Sequence, residues 1–298
     1  QSPSPIPRYN INININLYYI LLKMKEPKTK DEEKKEVKKD EIEGNKLIMM
    51  IANLVDPLNS PLAFGPKLIK FNWIINAQKT GTIFLMFSLM VYYNNFSTGA
   101  WLYLSLHGTY GLLWFLKDMV FPDKSFQAKL TIVPALLVSL FLLSYWLMGF
   151  EIMCGLGDQN PSGKKIFGCF FLFSLGNILM MCADLQKYIV LKYKKGLIDD
   201  YFMKNNRNTN YFGEIIVYLT FAIACGRKEG YIMLICEWIL FFGSRIYMKD
   251  LSLSRKHGFE KYKKNSYIIL FKFFENDIFN VVIYLMIILF VYWFIYVL

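Results

Sequence analysis

The chain of 298 residues has few of the side chains that bind metals or form disulfide bonds. It contains two histidines, His107 and His257, and five cysteines that are scattered singly through apolar segments. A metal site built on histidine is therefore not expected, and the cysteines are expected to be small buried hydrophobic residues. The sequence also lacks a GxGxxG loop, which argues against a Rossmann-type dinucleotide site.

Charged residues are also scarce, at 19% of the chain, whereas 55% of the residues are hydrophobic and 17% are aromatic. Soluble domains carry roughly 25% charged residues. The apolar residues fall in runs of about 20, which is long enough to cross a bilayer. The net charge of +11 comes from basic residues clustered between these runs, as the positive-inside rule predicts. The lipid bilayer is therefore the expected partner, and nucleic acid is not.

The predicted fold is an all-α, polytopic transmembrane helical bundle with about seven spans. Pro134 is expected to kink the third span. No proline occurs from Ser162 to Leu298, so the later helices are expected to run unbroken. The predicted spans cover residues 73–95, 99–121, 130–152, 166–191, 210–226, 230–248 and 278–298.

The ends of the chain differ from this bundle in composition. Residues 1–46 combine a low-complexity leader, rich in alternating Asn and Ile, with a charged arm at 23–46, which is expected to be disordered or to dock on a partner. Residues 47–72 contain an apolar run too short to span and are expected to lie at the membrane interface. Residues 73–272 form the predicted bundle, and residues 273–298 add a further C-terminal transmembrane helix.

The charges between the spans predict the orientation of the bundle. The 187–209 connection has six basic and two acidic residues, and the 245–272 connection has eight basic and two acidic residues. With seven spans, both connections fall on the same face of the membrane, which is the cytosolic face by the positive-inside rule.

Polar side chains recur at helical spacing on four predicted helices, always toward the basic face. A charged group in hydrocarbon costs free energy unless it is paired or hydrated, so such residues indicate a site. Several cations, tyrosines and asparagines at one face favour a phosphate-rich anionic cofactor. The four stripes are His107, Tyr110, Trp114 and Lys117; Asp184, Lys187 and Tyr188; Arg207, Asn210, Tyr211, Glu214 and Tyr218; and Arg245 with Lys249.

One of these stripes carries a resemblance to a known family. Residues 206–214, NRNTNYFGE, resemble the RNPNYxGE signature in the C-terminal domain of the steroid 5-alpha-reductase superfamily. The similarity continues through 244–250 and 255–264. Residues 107–118 and 183–188 resemble the family's subgroup of steroid-dehydrogenase-like membrane proteins. The resemblance covers about residues 75–272.

The resemblance implies an α-helical reductase that uses NADPH to transfer hydride to the β-carbon of an enone in a sterol, polyprenol or acyl chain. The hydride chemistry belongs to the cofactor, and the protein supplies position and electrostatics. The implied catalytic residues are Tyr110 and Lys117, near the carbonyl oxygen, and Glu214, which orients the cofactor shell. The implied NADPH-binding residues are Asp184, Lys187, Arg207, Asn210, Tyr211, Arg245, Lys249, Asp250 and Tyr262.

Two other functions remain open at this point. The additional span at 278–298 and the charged arm at 23–46 suit a non-catalytic, reductase-like subunit that binds other membrane proteins through these segments. A membrane methyltransferase that uses S-adenosylmethionine is the third possibility, although its RHPxY motif is replaced here by Arg207-Asn208-Thr209. The resemblance favours the endoplasmic reticulum membrane, with the mitochondrial inner membrane as the alternative.

Overall fold

The computed structural model describes residues 49–50, 52–53, 56–58 and 60–296, so the predicted leader and charged arm at 1–46 lie outside the described residues. The described chain is mostly helical. A short antiparallel ribbon joins β1, Ile69–Lys70, to β2, Lys129–Leu130, with Ile69 opposite Leu130. Because each strand leads directly into a long helix, the ribbon places the starts of these two helices side by side.

The helices follow the predicted apolar runs closely. Ser97 and Ser162 cap the N-termini of the second and fifth helices, since their hydroxyls accept hydrogen bonds from Ala100 and Lys165. A π-helical segment, Trp238–Gly243, joins the helix that ends at Glu237 to the helix that begins at Ser244 without a break. The helices are α1 (Phe71–Tyr92), α2 (Thr98–Val120), α3 (Ile132–Ser144), α4 (Trp146–Met153), α5 (Gly163–Tyr193), α6 (Thr209–Cys225), α7 (Lys228–Glu237), α8 (Ser244–Ser254), α9 (Phe259–Asn265) and α10 (Asp277–Tyr296).

Four helical stretches in the described part of the chain are long enough and apolar enough to cross a membrane. They are Phe71–Tyr92, Ile132–Met153, Gly163–Tyr193 and Lys228–Ser254. Thr209–Cys225 and Asp277–Val291 are apolar but shorter. The chain is therefore an integral membrane protein, and the helical character predicted from its sequence is confirmed.

The predicted kink at Pro134 is wrong. Pro134 lies in the first turn of α3, where a backbone N–H has no partner within the helix and proline is tolerated. The interruption comes instead at Tyr145, between α3 and α4. There the Ser144 hydroxyl bonds both the Phe141 carbonyl, at 2.6 Å, and the Glu237 carboxylate, at 2.9 Å.

Glycines allow α5 and α6 to cross closely. A Cβ on Gly176 of α5 would lie 2.7 Å from the Gly213 carbonyl oxygen of α6, and a Cβ on Gly213 would lie 2.5 Å from the Gly176 carbonyl oxygen. Small residues at helix interfaces let two backbones approach closely in membranes. The crossing brings the C-terminal half of α5 against the N-terminal half of α6, which is where both helices carry their polar side chains.

We expect Gly176→Val to lower the thermal unfolding midpoint of the protein in detergent, since its side chain meets backbone atoms that cannot move aside. Overpacking of this kind costs about 1–3 kcal/mol. Gly168→Val is the matched control because a Cβ at Gly168, on the same helix, meets nothing within 4 Å. Equal midpoints for the two variants would contradict the close crossing.

Candidate functional site

A cavity lies at the basic end of the bundle, between α1, α2, α3, α5, α6 and α8. About 150 Å³ of it is accessible to the centre of a water molecule. One part of its wall is aromatic and aliphatic, including Phe71, Val138, Phe141 and Phe242. The other part is polar and includes these predicted site residues: Lys117, Asp184, Lys187, Asn210, Tyr211, Glu214, Arg245 and Lys249.

A chain of polar contacts links four helices along this wall. Lys117 of α2 forms a buried ion pair with Asp184 of α5. The Asn210 amide of α6 donates to Asp184 Oδ1 at 3.0 Å, and its own oxygen accepts from Lys249 Nζ of α8 at 3.2 Å. The stripes predicted on separate helices therefore meet in one cavity.

A second ion pair lies where the loop after α2 meets α5. Lys187 Nζ is 2.6 Å from Asp123 Oδ2. Ser125 also donates to the Asp123 carboxylate, from its backbone N–H at 3.0 Å and from its hydroxyl at 2.8 Å. Burial alone would raise the pKa of Asp123, but the Lys187 ammonium and the Ser125 donors outweigh it and hold that pKa well below its usual range. The carboxylate therefore stays charged at neutral pH.

Positive charge exceeds negative charge in the cavity wall. Arg245, Lys249 and Lys79 each line the cavity, and none has a carboxylate oxygen within 4.0 Å in the described part of the chain. The Arg245 guanidinium lies 5.7 Å from the centre of the Phe126 ring, and Lys249 Nζ lies 5.4 Å from the Tyr211 ring. Cations held without a carboxylate are suited to an anionic ligand.

Lys79 of α1 is held among aromatic side chains in this wall. It is 4% exposed, and its ammonium donates to the Tyr218 hydroxyl at 2.6 Å and the Tyr110 hydroxyl at 3.2 Å. It also lies 4.5 Å from the centre of the Trp114 ring. The Tyr110 hydroxyl donates to Glu214 Oε1 at 3.0 Å, so Lys79 connects through Tyr110 to a carboxylate.

Lys79 is not among the predicted site residues. A lysine inside the apolar run of α1 is the kind of residue that indicates a site, and this signal was present at 73–95. Tyr110, predicted as a catalytic residue, does not line the cavity; its hydroxyl contacts the Lys79 ammonium. The Lys117 ammonium, also predicted to be catalytic, pairs with Asp184. Unlike the Lys117 ammonium, the Lys79 ammonium has no carboxylate oxygen within 4.0 Å among the described residues.

Three predicted cofactor-binding residues, Arg207, Asp250 and Tyr262, do not line the cavity. Arg207 Nε and Nη2 lie 2.5 and 3.3 Å from the two Asp250 oxygens, and its Nη1 donates to the Ser266 carbonyl at 2.7 Å. The Tyr262 hydroxyl donates to the Met203 carbonyl. These contacts join the segment before α6 to α8 and to the residues after α9.

Together these contacts form a clamp on the segment before α6, and two asparagines add to it. The Asn206 amide donates to the Ile269 carbonyl and the Asn208 amide to the Ile268 carbonyl, both at 2.7 Å. The first part of the NRNTNYFGE segment therefore anchors the start of α6, and only the later part, from Asn210, reaches the cavity.

No protein-family model matches the chain, and no curated protein matches it. Among the described residues, no group of three or more His, Cys, Asp or Glu side chains is arranged to hold a metal ion.

Proposed function

We propose that the chain is a membrane reductase that uses NADPH to reduce an enone in a lipid-like substrate, such as a sterol, polyprenol or acyl chain. The observation that carries the proposal is a single cavity that combines unpaired cations, an apolar wall and a lysine held by tyrosine hydroxyls. The resemblance of residues 206–214 to the steroid 5-alpha-reductase superfamily supports the same chemistry.

The side chains of the cavity suit a dinucleotide phosphate. Arg245 and Lys249 offer cationic donors that pair with no carboxylate among the described residues, and Tyr211 and Asn210 offer hydrogen-bonding groups beside them. When bound, NADPH supplies the hydride.

In this reaction the protein would contribute Lys79 and the two tyrosines that contact it, Tyr110 and Tyr218. An enone that accepts hydride at its β-carbon develops negative charge on its carbonyl oxygen. A buried cation beside that oxygen stabilises the negative charge, because the low-dielectric surroundings weakly screen the attraction between the two charges. We assign this role to Lys79 with the Tyr218 hydroxyl, and a positioning role to Tyr110 and Glu214, whose hydrogen bond holds one side of the lysine. Lys117 would then support Asp184 in the cofactor half of the site.

The proposal includes the remaining spans and the orientation. We propose that α2, α6 and α10 also cross the bilayer, which makes seven spans with the cavity opening to the cytosolic side. This direction agrees with the basic connections at 187–209 and 245–272. The endoplasmic reticulum membrane is the favoured location, and the mitochondrial inner membrane is the alternative.

Binding of NADPH to the purified protein tests the proposal directly. We expect NADPH to bind, with Arg245→Gln weakening the affinity about 10- to 100-fold, because a charge-assisted bond to phosphate is lost. Quenching of NADPH fluorescence measures the affinity. Arg227→Gln is the matched control, since Arg227 pairs with Glu229 at the opposite end of the bundle. Failure of the wild-type protein to bind NADPH, or tight binding of S-adenosylmethionine instead, would refute the reductase.

The exposed surface of α10 favours a second candidate, a non-catalytic subunit of a membrane complex. Ile278, Leu285 and Leu289 are each more than half exposed, while the start of α10 is tied down by Asn280 and Tyr284. Deletion of residues 278–298 that released a stoichiometric partner, in a protein that does not bind NADPH, would favour this candidate.

A further inference from the structure

A groove separate from the cavity runs along the outside of the bundle between α1 and the interrupted span α3–α4. Its volume is about 440 Å³. Trp73, Ala77 and Gln78 form one wall, and Ser139, Leu143 and Trp146 form the other. None of these residues lines the cationic cavity. Among the residues that the structure describes, no charged side chain lines the groove, so its lining is apolar except for a few neutral groups.

The Gln78 amide is the unusual feature of this groove. Gln78 is 7% exposed, and both its Nε2 and its Oε1 are buried and lack a hydrogen-bond partner within the described residues. The neighbouring polar groups are satisfied: Trp146 Nε1 donates to the Thr82 hydroxyl at 2.8 Å, and the Ser139 hydroxyl donates to the Ala135 carbonyl at 2.8 Å. Hydrocarbon offers no water to replace the missing partners.

The position of the groove in the bilayer follows from the helices that form it. The β1–β2 ribbon places the starts of α1 and α3 side by side, so both helices run away from the basic face. Trp73 lies within the first turn of α1, and Gln78 lies about 10 Å along the helix axis. Trp146 lies about 20 Å beyond the start of α3. The groove therefore extends from near the headgroups into the hydrocarbon.

We propose that this groove binds a membrane sterol whose hydroxyl pairs with the Gln78 amide once that side chain turns outward from its buried position. A hydroxyl is both donor and acceptor, so one such group satisfies both unpartnered atoms. The side chain of a helical residue leans toward the N-terminus of its helix, which brings the amide toward the headgroups, where a sterol hydroxyl lies. The rigid, apolar ring system would then pack along Leu143 and Trp146, deeper in the bilayer.

The chemistry of the groove favours a sterol over a phospholipid. A phospholipid would bring a charged phosphate against a wall that has no charged side chain in the described part of the chain. A sterol has one polar group, and the same wall contains one amide, that of Gln78, without a partner. The site is independent of the proposed reductase activity, because it shares no residue with the cationic cavity.

Energy transfer from tryptophan to dehydroergosterol, a fluorescent sterol, in phosphatidylcholine vesicles tests the proposal on the full chain. We expect saturable transfer that ergosterol competes away, and binding about five- to tenfold weaker in Gln78→Leu, which keeps the size but loses the amide. The 3-O-methyl ether of ergosterol, which cannot donate a hydrogen bond, should compete about five- to tenfold less well against the wild-type protein. Ser139→Ala is the matched control in the opposite wall, since its hydroxyl bonds its own helix.

Thermal unfolding provides a second readout. Ergosterol should raise the unfolding midpoint of the wild-type protein and not that of Gln78→Leu, whereas Gln78→Leu without sterol should unfold at or above the wild-type temperature, because it no longer buries an unpaired amide. Equal binding by wild type and Gln78→Leu, equal competition by the methyl ether, or displacement by diacylglycerol but not by ergosterol would overturn the sterol site.

Discussion

Lys79→Met is expected to lower the kcat of the proposed enone reduction by about 10²- to 10³-fold, which is the usual cost of removing one donor to a developing oxyanion. Methionine keeps most of the length of the lysine stem and removes the ammonium that Tyr110 and Tyr218 hold. NADPH affinity should change by no more than about twofold, because the cations assigned to the cofactor, Arg245 and Lys249, are untouched. This one variant would therefore lose catalytic rate while it keeps its affinity for NADPH.

The measurement is oxidation of NADPH with an α,β-unsaturated sterol ketone and a polyprenal as substrates. Tyr218→Phe should give a smaller loss of kcat than Lys79→Met, since it removes a hydrogen-bonding partner and leaves the cation. Lys165→Met is the matched control, because Lys165 pairs with Asp158 near the start of α5, at the other end of that helix from Asp184. Full activity in Lys79→Met would rule out the assigned role of this lysine.

Arg207→Met is expected to destabilise the protein by about 3–5 kcal/mol, because it leaves the Asp250 carboxylate partly buried without its cation. The variant also loses the bond from the guanidinium to the Ser266 carbonyl. If Arg207 belongs to the clamp and not to the cofactor site, the folded fraction should still bind NADPH with an affinity near that of the wild-type protein.

The midpoint of thermal unfolding in detergent measures this change. The double variant Arg207→Met with Asp250→Leu should recover much of the lost stability, since replacing both partners of a buried pair by apolar groups is often neutral. Arg227→Met provides the comparison, because its pair with Glu229 is more exposed and worth about 0–1 kcal/mol. A large loss of NADPH affinity in well-folded Arg207→Met would contradict the clamp role and indicate that Arg207 contacts the cofactor.

Most helices follow from the sequence because run length and apolarity are local properties. The second predicted span, 99–121, matches α2 at Thr98–Val120, and the fifth, 210–226, matches α6 at Thr209–Cys225. The break at Tyr145 was not predicted, because no proline or glycine marks it. It coincides with Ser144, whose hydroxyl bonds the carbonyl of Phe141 and the carboxylate of Glu237 on another helix.

The position of Arg207 shows why helical spacing alone misplaced part of the site. Arg207 and Asn210 are three residues apart and would share a face if the helix included both. The helix begins at Thr209, and Asn208 before it has a non-helical backbone. Arg207 therefore turns away from the face of Asn210 and pairs with Asp250, while Asn210 contacts Asp184.

The sequence by itself determined that this is a helical membrane protein and which end of the bundle is basic, since both depend on composition and on charge along the chain. Only the tertiary structure decided which charges are neutralised. Asp184 pairs with Lys117, and Asp250 pairs with Arg207. Lys79, Arg245 and Lys249 line the cavity but form no ion pair with a carboxylate in the described part of the chain. The reason is that ion pairs form across helices, and helical periodicity defines the faces of one helix but not the neighbour that each face meets.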